Sequence, residues 1–521
     1  MSSAPPPPAP AAPEGAGLAA HLPFALLSVG LAAFVAEVPL GGMAHVTDEV
    51  AYTLQARLFA AGMRTGPPGD VPALLDYPFW VSAGPSHSPF PPGWPALLAV
   101  GVALGAPWLV NALLAGVLPL VAGAVGRAWG GARVGLVAAA VAAVSPQWAL
   151  LAGSRMAHAS VVAALGALLL VGLRAPAGRA AWAGAGLALG YVVLARPFDA
   201  AVAGGPLLLW ALARAPGAAA RGLLLVGPAV GAALLGADHA HLTGDPLRFP
   251  MSAWFEGWSP EGPRPGCNAL GFGPDRGCVP TEGSFGHTPA KAWAATVGTL
   301  GRLDALLLGV PGGLLVAVAG LLRGRRWGAL GLGVAVVAGH ALYWSPGLAY
   351  GARFAAPALL VLPVGVAPAL DALPARVAAR HVVLAVLLLG LAGGSRLLPE
   401  LASDYWCVGR GAAAQVAAAG LDAGLLMVDG RGTRAVAWPR LGVPAFTCDP
   451  MLTAGEALQW LDPSRPTGGL QVRHAPRDAG QRRAFRDRHQ PGAPIWVLQH
   501  DIPSGEMRLF RDPEGAAGEG P

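Results

Sequence analysis

Two adjacent carboxylates, Asp48 and Glu49, follow the first apolar run of the chain, within residues 45–52 (HVTDEVAY). A carboxylate held beside a membrane surface can act as a general base, and a pair of them attracts cations. If the segment is helical, Tyr52 lies one turn after Asp48 on the same face. The alternative is a simple helix start, where acidic residues are favoured and Thr47 or Asp48 caps the backbone.

Two further segments place polar groups beside proline or glycine. Residues 86–95 (SHSPFPPGWP) join His87 to a Pro-rich stretch, which predicts a rigid loop leading into a helix at the membrane interface; the alternative is ordinary loop termination. Residues 350–354 (YGARF) place Arg353 at the start of an apolar run. An arginine there can bind a phosphate head group with two parallel hydrogen bonds. The alternative is an arginine that reaches from a helix end to the interface.

Two other polar segments are candidates for binding. Residues 196–199 (RPFD) supply an Arg and an Asp that either contribute charge to a site or pair with each other at a Pro-broken helix end. Trp254, Phe255, Glu256 and Trp258, with residues 281–283, are suited to a sugar or an acceptor. Anchoring at the membrane interface explains the tryptophans equally well.

The composition excludes several classes of protein. The 521 residues are 54% hydrophobic and 12% charged, with a net charge of +6. Mean hydropathy is +0.52. Soluble domains carry about a quarter charged residues, so a soluble enzyme, a disordered protein and a nucleic-acid binder are all disfavoured. Repeated long apolar runs predict instead an α-helical polytopic membrane protein.

Arginines place the connectors between the apolar runs. They cluster at 127–133, 174–179, 214–221, 323–326 and 376–380. The positive-inside rule puts these connectors in the cytoplasm. About eleven spans of roughly 20 residues then fit, at 21–40, 107–126, 133–149, 156–173, 180–195, 199–213, 222–240, 298–322, 327–344, 353–372 and 380–398. The alternation requires residues 92–106 to lie on the outer surface, with the N-terminus cytoplasmic and the C-terminus outside.

Three regions follow from this pattern. Residues 1–20 are Pro/Ala-rich without Lys or Arg, which predicts a disordered cytoplasmic tail and no cleaved signal. Residues 21–398 form the transmembrane domain, with outer loops 41–92 and 241–297. Residues 399–521 predict a small extracytoplasmic α/β domain, with strands at 424–430, 469–474, 495–501 and 506–512 and helices at 411–420 and 454–461.

All four cysteines fall in predicted outer segments. Cys267 and Cys278 lie in the second outer loop, and Cys407 and Cys448 lie in the C-terminal region. Two local disulfides in an oxidising compartment are predicted, the alternative being four unpaired thiols. Neither pair has the spacing of a zinc site.

Taken in order, these segments resemble the GT-C superfamily of polyprenyl-phosphate-sugar glycosyltransferases. They are most similar to glycosyltransferase family 39-like enzymes, the protein O-mannosyltransferases and the lipid A aminoarabinose transferases. The resemblance covers roughly residues 20–400 and rests on an acidic pair, a Pro-Pro motif, a Ser-Pro turn, a Ser-Arg pair and a Gly-x-Arg-aromatic element. The matching residues are Asp48-Glu49, Pro91-Pro92, Ser145-Pro146, Ser154-Arg155, and Gly351, Arg353 and Phe354. Departures are Phe90, where many relatives have Lys, and Ser160, where some have Asp.

The resemblance implies an inverting transfer of a sugar from a polyprenyl-phosphate donor to a glycan, lipid or protein acceptor at the outer face of a bacterial inner membrane. It implies that Asp48 is the general base and that Glu49 orients it, while Arg353 and Arg155 hold the lipid phosphate. The substrate contacts that it implies are Tyr52, His87, His158 and Tyr350. No cofactor and no nucleic acid are implied. Some relatives use a divalent metal, and His239 and His241 are the residues of this chain that could bind one, the alternative being ordinary loop histidines.

Two other functions fit the same composition. A transporter or flippase of lipid-linked sugars would need polar groups near the midplane of its spans, and only Asn111 and Asp304 come near that position. A non-catalytic anchor for the outer domain would not need an acidic pair, a Pro-Pro loop and an outer arginine in this order. The sequence therefore favours the enzyme.

Overall fold

The computed structural model describes residues 19–68, 77–174, 178–258, 262–280, 284–370, 379–464, 470–476 and 478–512. Almost all of the tail predicted to be disordered, and residues 281–283 of the second outer loop, lie outside these ranges. The division of the chain into three regions stays a prediction.

Most of the chain is helical as far as residue 402. The first helices are α1 (Leu22–Glu37), α2 (Thr47–Ala60), α3 (Gly93–Ala103), α4 (Leu109–Leu114), α5 (Val117–Val144), α6 (Pro146–Gly153), α7 (His158–Leu173) and α8 (Arg179–Ala195). After a short turn at Pro197–Asp199 and a π-helical segment at Ala200–Gly204 come α9 (Gly205–Arg214), α10 (Ala218–Thr243) and α11 (Pro250–Trp258). The last are α12 (Pro289–Leu307), α13 (Gly313–Arg323), α14 (Trp327–His340), a 3₁₀ segment at Arg353–Leu360, α15 (Leu362–Leu370), α16 (Ala379–Ser395) and α17 (Leu398–Ala402).

Several of these helices are long and apolar enough to cross a bilayer. Within the described ranges there are 3 such helices, Leu109–Val144, Ala218–Thr243 and Ala379–Cys407, or 4 if α6 and α7, bent by 114°, form one span. Further apolar helices of 10–17 residues surround them. The polytopic helical architecture is thus confirmed, whereas the number of about eleven spans stays a prediction.

The longest apolar stretch reverses direction in its middle. Gly130 and Gly131 leave the helical conformation, and Gly131 has φ 82°. A Cβ atom on Gly126 would lie 3.0 Å from the Cα atom of Gly135. Residues nine positions apart in a straight helix would be about 13 Å apart, so the two halves of α5 fold back on each other. This reversal lies at the connector predicted between residues 127 and 133.

The single span predicted at 298–322 is wrong, because the structure divides it into α12 and α13. The intervening turn holds Gly309 and Gly312, both at positive φ, which glycine adopts without strain. Asp304 caps the second helix, since its carboxylate accepts the backbone N–H of Gly312 at 2.6 Å and of Leu314 at 2.9 Å. Asp304 is therefore a helix cap in this structure.

The C-terminal region contains the predicted sheet. Strands β3 (Gly424–Arg431), β6 (Leu470–His474), β7 (Ile495–Asp501) and β8 (Glu506–Arg511) lie in the order β6-β3-β7-β8. β3 is parallel to β6 and β7, and β8 returns antiparallel to β7. Helices α18 (Gly411–Ala418), α19 (Pro450–Leu458) and α20 (Ala479–His489) accompany it. All four predicted strands are confirmed.

Two small antiparallel pairs were not predicted. β4 (Arg434–Trp438) pairs with β5 (Val443–Cys448), and β1 (Gly66–Pro68) pairs with β2 (Pro85–Ser86). Both disulfides are formed, Cys267–Cys278 with Cα atoms 4.9 Å apart and Cys407–Cys448 with Cα atoms 5.4 Å apart. The second one joins the end of β5 to the chain entering the C-terminal region.

The C-terminal region packs directly on α2. Val50 and Leu54 of α2 share one buried cluster with Leu426 of β3 and Leu458 of α19. Next to this cluster, the Gln459 side chain accepts the backbone N–H of Ala44 at 2.8 Å and donates to its carbonyl oxygen at 3.0 Å. The sheet and its helices therefore hold in place the helix that carries the acidic pair.

Glu456 of α19 makes the packing within the C-terminal region sensitive to pH. Its carboxylate accepts backbone N–H bonds from Gly409 and Ala412, and burial raises its pKa from 4.5 to about 7. A carboxyl group whose pKa is raised by folding contributes most to stability below its unfolded pKa, and the contribution is lost as the pH rises through about 7. We expect Glu456→Gln, which stays neutral, to flatten the fall in melting temperature between about pH 5 and about pH 8. Equal pH profiles for wild type and variant would contradict this.

Candidate active site

Asp48 and Arg353 form a buried ion pair. The Arg353 Nη1 atom donates to the Asp48 Oδ2 atom at 2.7 Å, and each side chain is only 12% exposed. Asp48 lies in the first turn of α2, while Arg353 begins the 3₁₀ segment 305 positions later. The two strongest motifs of the sequence therefore meet at one point.

Glu49 is fully buried and caps the start of α2, where the sequence had suggested Thr47 or Asp48 as the cap. Its Oε2 atom accepts the backbone N–H of His45 at 2.9 Å and of Val46 at 3.0 Å, and the Tyr350 hydroxyl at 2.8 Å. Its Oε1 atom accepts the backbone N–H of Arg155 at 2.5 Å. One carboxylate thus joins three distant segments, and the helix-start interpretation applies to Glu49.

Arg155 and Tyr350 make hydrogen bonds to other residues of the chain. The Arg155 guanidinium donates to the Thr53 hydroxyl at 3.1 Å and to the Gly42 carbonyl oxygen. Tyr350, at φ 56°, donates its backbone N–H to the Tyr405 hydroxyl at 2.8 Å in addition to its hydroxyl bond with Glu49. These contacts suit residues that position Glu49. Their predicted roles in phosphate and substrate binding stay predictions.

A second buried ion pair lies beside the first. Arg196 pairs with Asp199, whose other carboxylate oxygen is 3.4 Å from the Nε2 atom of His340. The guanidinium groups of Arg353 and Arg196 lie 5.2 and 5.9 Å from the centre of the Phe354 ring, and His340 stacks on that ring at 5.1 Å. Two arginines from different predicted outer turns therefore flank one aromatic ring.

His340 was not identified as a candidate from the sequence. Its position at the end of an apolar run, five residues before Ser345-Pro346, was the available signal, because an imidazole there is seldom needed for packing alone. The pairing within residues 196–199 was one of the two alternatives weighed. Its closeness to Arg353 depends on tertiary packing.

His158 and Tyr52 also lie next to Arg196 and Arg353. His158 is fully buried 6.4 Å from the Phe354 ring, and neither of its ring nitrogens has a partner within the described ranges. The Tyr52 ring lies 4.5 Å from that of Phe90. Burial, and next the Asp48 carboxylate, raises the pKa of Tyr52, so its hydroxyl is protonated at neutral pH. Their substrate contacts stay predictions.

Comparison with known proteins gives the fold. No protein-family model matches the sequence, and no curated protein sequence matches it. ArnT from Cupriavidus metallidurans in the apo state superposes with a TM-score of 0.54 at 16% identity, covering 92% of this chain and 93% of ArnT. The chain has the GT-C fold. The same ArnT bound to undecaprenyl phosphate gives a TM-score of 0.52 at 17% identity, with the same coverage.

A second solved structure is less similar. The archaeal oligosaccharyltransferase AglB from Archaeoglobus fulgidus, in complex with an inhibitory peptide and a dolichol-phosphate, covers 74% of this chain and 56% of AglB at 15% identity. Its TM-score of 0.38 is too low to support an argument about this chain. The resemblance seen in the motifs is thus confirmed as a GT-C fold through ArnT.

Within this GT-C fold an apolar groove extends towards Phe354. A cavity of about 590 Å³ is lined by apolar side chains of α12, α13, α14 and α15. A smaller space of about 30 Å³ lined by His340, Tyr343 and Phe354 shares Ala292 and Val337 with it. The groove therefore borders the aromatic ring beside which Arg353 and Arg196 lie.

A second cavity lies beside α3. A cavity of about 500 Å³ is lined by Gly93 and Ala96 of α3. Arg64 and Asp238 form an ion pair in its wall. The cavity beside α3 is therefore the more polar of the two, and it suits a hydrocarbon tail less well than the first.

The part of the chain that the structure describes has no group of three His, Cys, Asp or Glu residues able to hold a metal ion. The His239 ring faces the Pro246 carbonyl oxygen at 3.3 Å and the Phe249 ring at 4.5 Å. His87 lines a cavity of about 760 Å³ whose wall does not include Asp48. Metal independence stays a prediction.

Proposed function

We propose that this protein is an inverting membrane glycosyltransferase that moves a sugar from a polyprenyl-phosphate donor to an acceptor hydroxyl. The observation that carries the proposal is the buried Asp48–Arg353 pair, close to an apolar groove. A base and a cation held together suit a reaction in which a hydroxyl loses a proton and a phosphate leaves. The GT-C fold shared with ArnT supports it.

Asp48 acts as the general base. It accepts the proton of the acceptor hydroxyl as the oxygen attacks the anomeric carbon, and the bond from that carbon to the phosphate oxygen breaks on the opposite side. The electron pair of the broken bond stays on polyprenyl phosphate. Before the donor binds, Asp48 is paired with Arg353. Transfer of Arg353 to the incoming phosphate frees the carboxylate, so donor binding prepares the base.

Arg353 and Arg196 hold the departing phosphate. They reach the same ring, Phe354, from two segments, and two guanidinium groups can neutralise a phosphate without protonating it. The polyprenyl tail lies in the apolar groove of α12 and α14. This assigns the second phosphate contact to Arg196, and gives Arg155 a positioning role through Glu49.

The reaction takes place on the outer face of a bacterial inner membrane. The two disulfides lie on the side that the arginine pattern places outside, where thiols are oxidised. The N-terminus is then cytoplasmic and the C-terminal α/β region extracytoplasmic, and the acceptor is a glycan, a lipid or a protein.

A transporter is not favoured. The two polar residues that pointed to one bind the backbone, since Asp304 caps α13 and the Asn111 Nδ2 atom donates to the carbonyl oxygens of Ser154 and Met156, both at 2.7 Å. Groups so engaged are structural and do not line a pathway.

The proposed function is tested with purified protein in detergent and lipid. A panel of polyprenyl-phosphate sugars and candidate acceptors is added, and released polyprenyl phosphate is measured. Release by wild type, lost in Asp48→Asn, supports the transferase. The absence of release from every lipid, together with lipid movement across proteoliposomes, overturns it in favour of a transporter.

The arginines are tested separately. We expect Arg353→Gln and Arg196→Gln each to lower kcat/KM for the donor by roughly 10- to 100-fold, because each loses a charge-assisted phosphate contact. Arg508→Gln, at a side chain 70% exposed, is the control. If the Arg196→Gln enzyme keeps the wild-type kcat/KM, Arg196 does not contact the phosphate and only pairs with Asp199.

A further inference from the structure

The outer cavity that contains His87 has no role in the mechanism above. It encloses about 760 Å³ between the first outer loop and α11. Its wall combines two indole rings with hydroxyl and imidazole groups: Trp80, Trp254, Thr65, Thr243, His87 and His241. Its volume is typical of a cavity that binds a small ligand.

The wall of this cavity is uncharged. Its described lining residues include no Asp, Glu, Lys or Arg. Burial lowers the pKa of His87, so its imidazole is neutral at pH 7. Its Nδ1 atom donates to the Pro85 carbonyl oxygen at 2.8 Å, which leaves Nε2 to accept a hydrogen bond from a ligand. Such a wall gives no counter-charge to a phosphate or a carboxylate and disfavours a charged ligand.

Trp80 offers a ligand its ring face. It is only 2% exposed, and its indole N–H, enclosed by the protein, donates to no group within the described part of the chain. Flat aromatic faces beside hydroxyl groups and the neutral His87 imidazole match a sugar ring, which has C–H faces and a hydroxyl rim.

A layer of aromatic rings separates this cavity from Asp48. The Phe79 ring lies 4.8 Å from Trp254 in the cavity wall and 5.1 Å from Phe90. Phe90 in turn lies 4.5 Å from Tyr52, one helical turn after Asp48. Phe79 has φ 63°, a backbone conformation that an aromatic residue rarely adopts and that is often found at functional sites.

We propose, on the basis of the transferase function above, that this cavity binds the acceptor, and that the acceptor presents a neutral carbohydrate. Its hydroxyl reaches Asp48 past Phe79. In an inverting displacement the acceptor approaches from the face opposite the leaving phosphate. The phosphate-binding arginines flank Phe354, whereas the cavity lies beyond Tyr52 and Phe90, so donor and acceptor enter by separate routes.

Binding without a donor tests this directly. The full-length protein in detergent is mixed with neutral trisaccharides (cellotriose, maltotriose and mannotriose) or with the acidic trigalacturonate, and binding is followed by saturation-transfer NMR. We expect at least one neutral trisaccharide to saturate below about 10 mM and trigalacturonate not to bind. Ala253→Trp, which fills the cavity from α11, and Trp80→Phe, which shrinks one of its two indole faces, should each weaken binding about tenfold or more.

The control is Ala61→Trp, the same substitution at an exposed position after α2, which should bind as wild type does. Gel filtration and the melting temperature establish that each variant is folded. The proposal is overturned if no neutral trisaccharide binds, if trigalacturonate binds equally well, or if folded Ala253→Trp and Trp80→Phe both bind as wild type. Because no donor is present, failure of transfer leaves this result unaffected, and failure of binding leaves the transferase test unaffected.

Discussion

Replacing Asp48 by Asn is expected to lower the rate of polyprenyl phosphate release by about 10²- to 10⁴-fold, the usual contribution of a general base. The amide keeps the shape of the carboxylate and can still accept a hydrogen bond from Arg353. It cannot take the acceptor proton, so kcat falls. Donor binding should be unchanged or tighter, because Arg353 no longer exchanges an ion pair for the phosphate. Measuring kcat and donor Kd separately resolves the two effects.

The matched control for Asp48→Asn is Asp487→Asn, at a side chain that is 60% exposed and also paired with an arginine. This variant should release polyprenyl phosphate at the wild-type rate, since exposed ion pairs contribute little. A folded Asp48→Asn protein with full kcat would remove the base from the mechanism, and weaker donor binding would mean that Asp48 does not compete for Arg353.

Replacing the neighbouring Glu49 by Gln should act mainly on stability. The carboxylate accepts hydrogen bonds at both oxygens, from three backbone N–H groups and the Tyr350 hydroxyl. Glutamine turns one acceptor into a donor, so at least one buried N–H then faces another donor. The cost is about 3 kcal/mol or more, and we expect a marked fall in melting temperature and faster proteolysis of the loop before α2.

Glu506→Gln, at a side chain 57% exposed, is the control for Glu49→Gln and should leave the melting temperature unchanged. The informative result is the contrast between two adjacent residues: Asp48→Asn is stable and inactive, whereas Glu49→Gln is unstable. A Glu49→Gln protein that is as stable as wild type but inactive would mean that Glu49 takes part in the reaction and does not only position other groups.

The sequence could predict that an acidic pair and an outer arginine belong to one site, because their order follows a known pattern. The resemblance implied that Asp48 is the base and that Glu49 orients it, but residue type and spacing alone do not distinguish two adjacent carboxylates. Adjacent residues on a helix point about 100° apart, and only tertiary packing decides which one faces Arg353. The same limit explains Arg155, whose motif match was clear but whose guanidinium contacts Thr53 and Gly42.

Hydropathy identified the apolar runs, but it predicted less well where a helix within such a run ends. The span predicted at 298–322 has the right composition throughout, yet Gly309 and Gly312 allow a turn that Asp304 then caps. The four strands of the C-terminal sheet were predictable from short apolar runs between turn residues. The β4–β5 hairpin was missed because arginine, proline and glycine lie at the edges of its short strands and obscure their apolar pattern.

The contacts around α2 also bear on the order of events during synthesis. The segment before α2 is held by groups that the ribosome makes much later: the Tyr405 carbonyl oxygen against His45, 360 positions on, and Gln459 against Ala44, 415 positions on. A nascent chain that ends before these residues therefore lacks the contacts that hold the start of α2, which carries Asp48. On the function proposed above, transfer has to wait until residues as late as Gln459 have been made and packed, so a half-made chain could not consume its donor lipid.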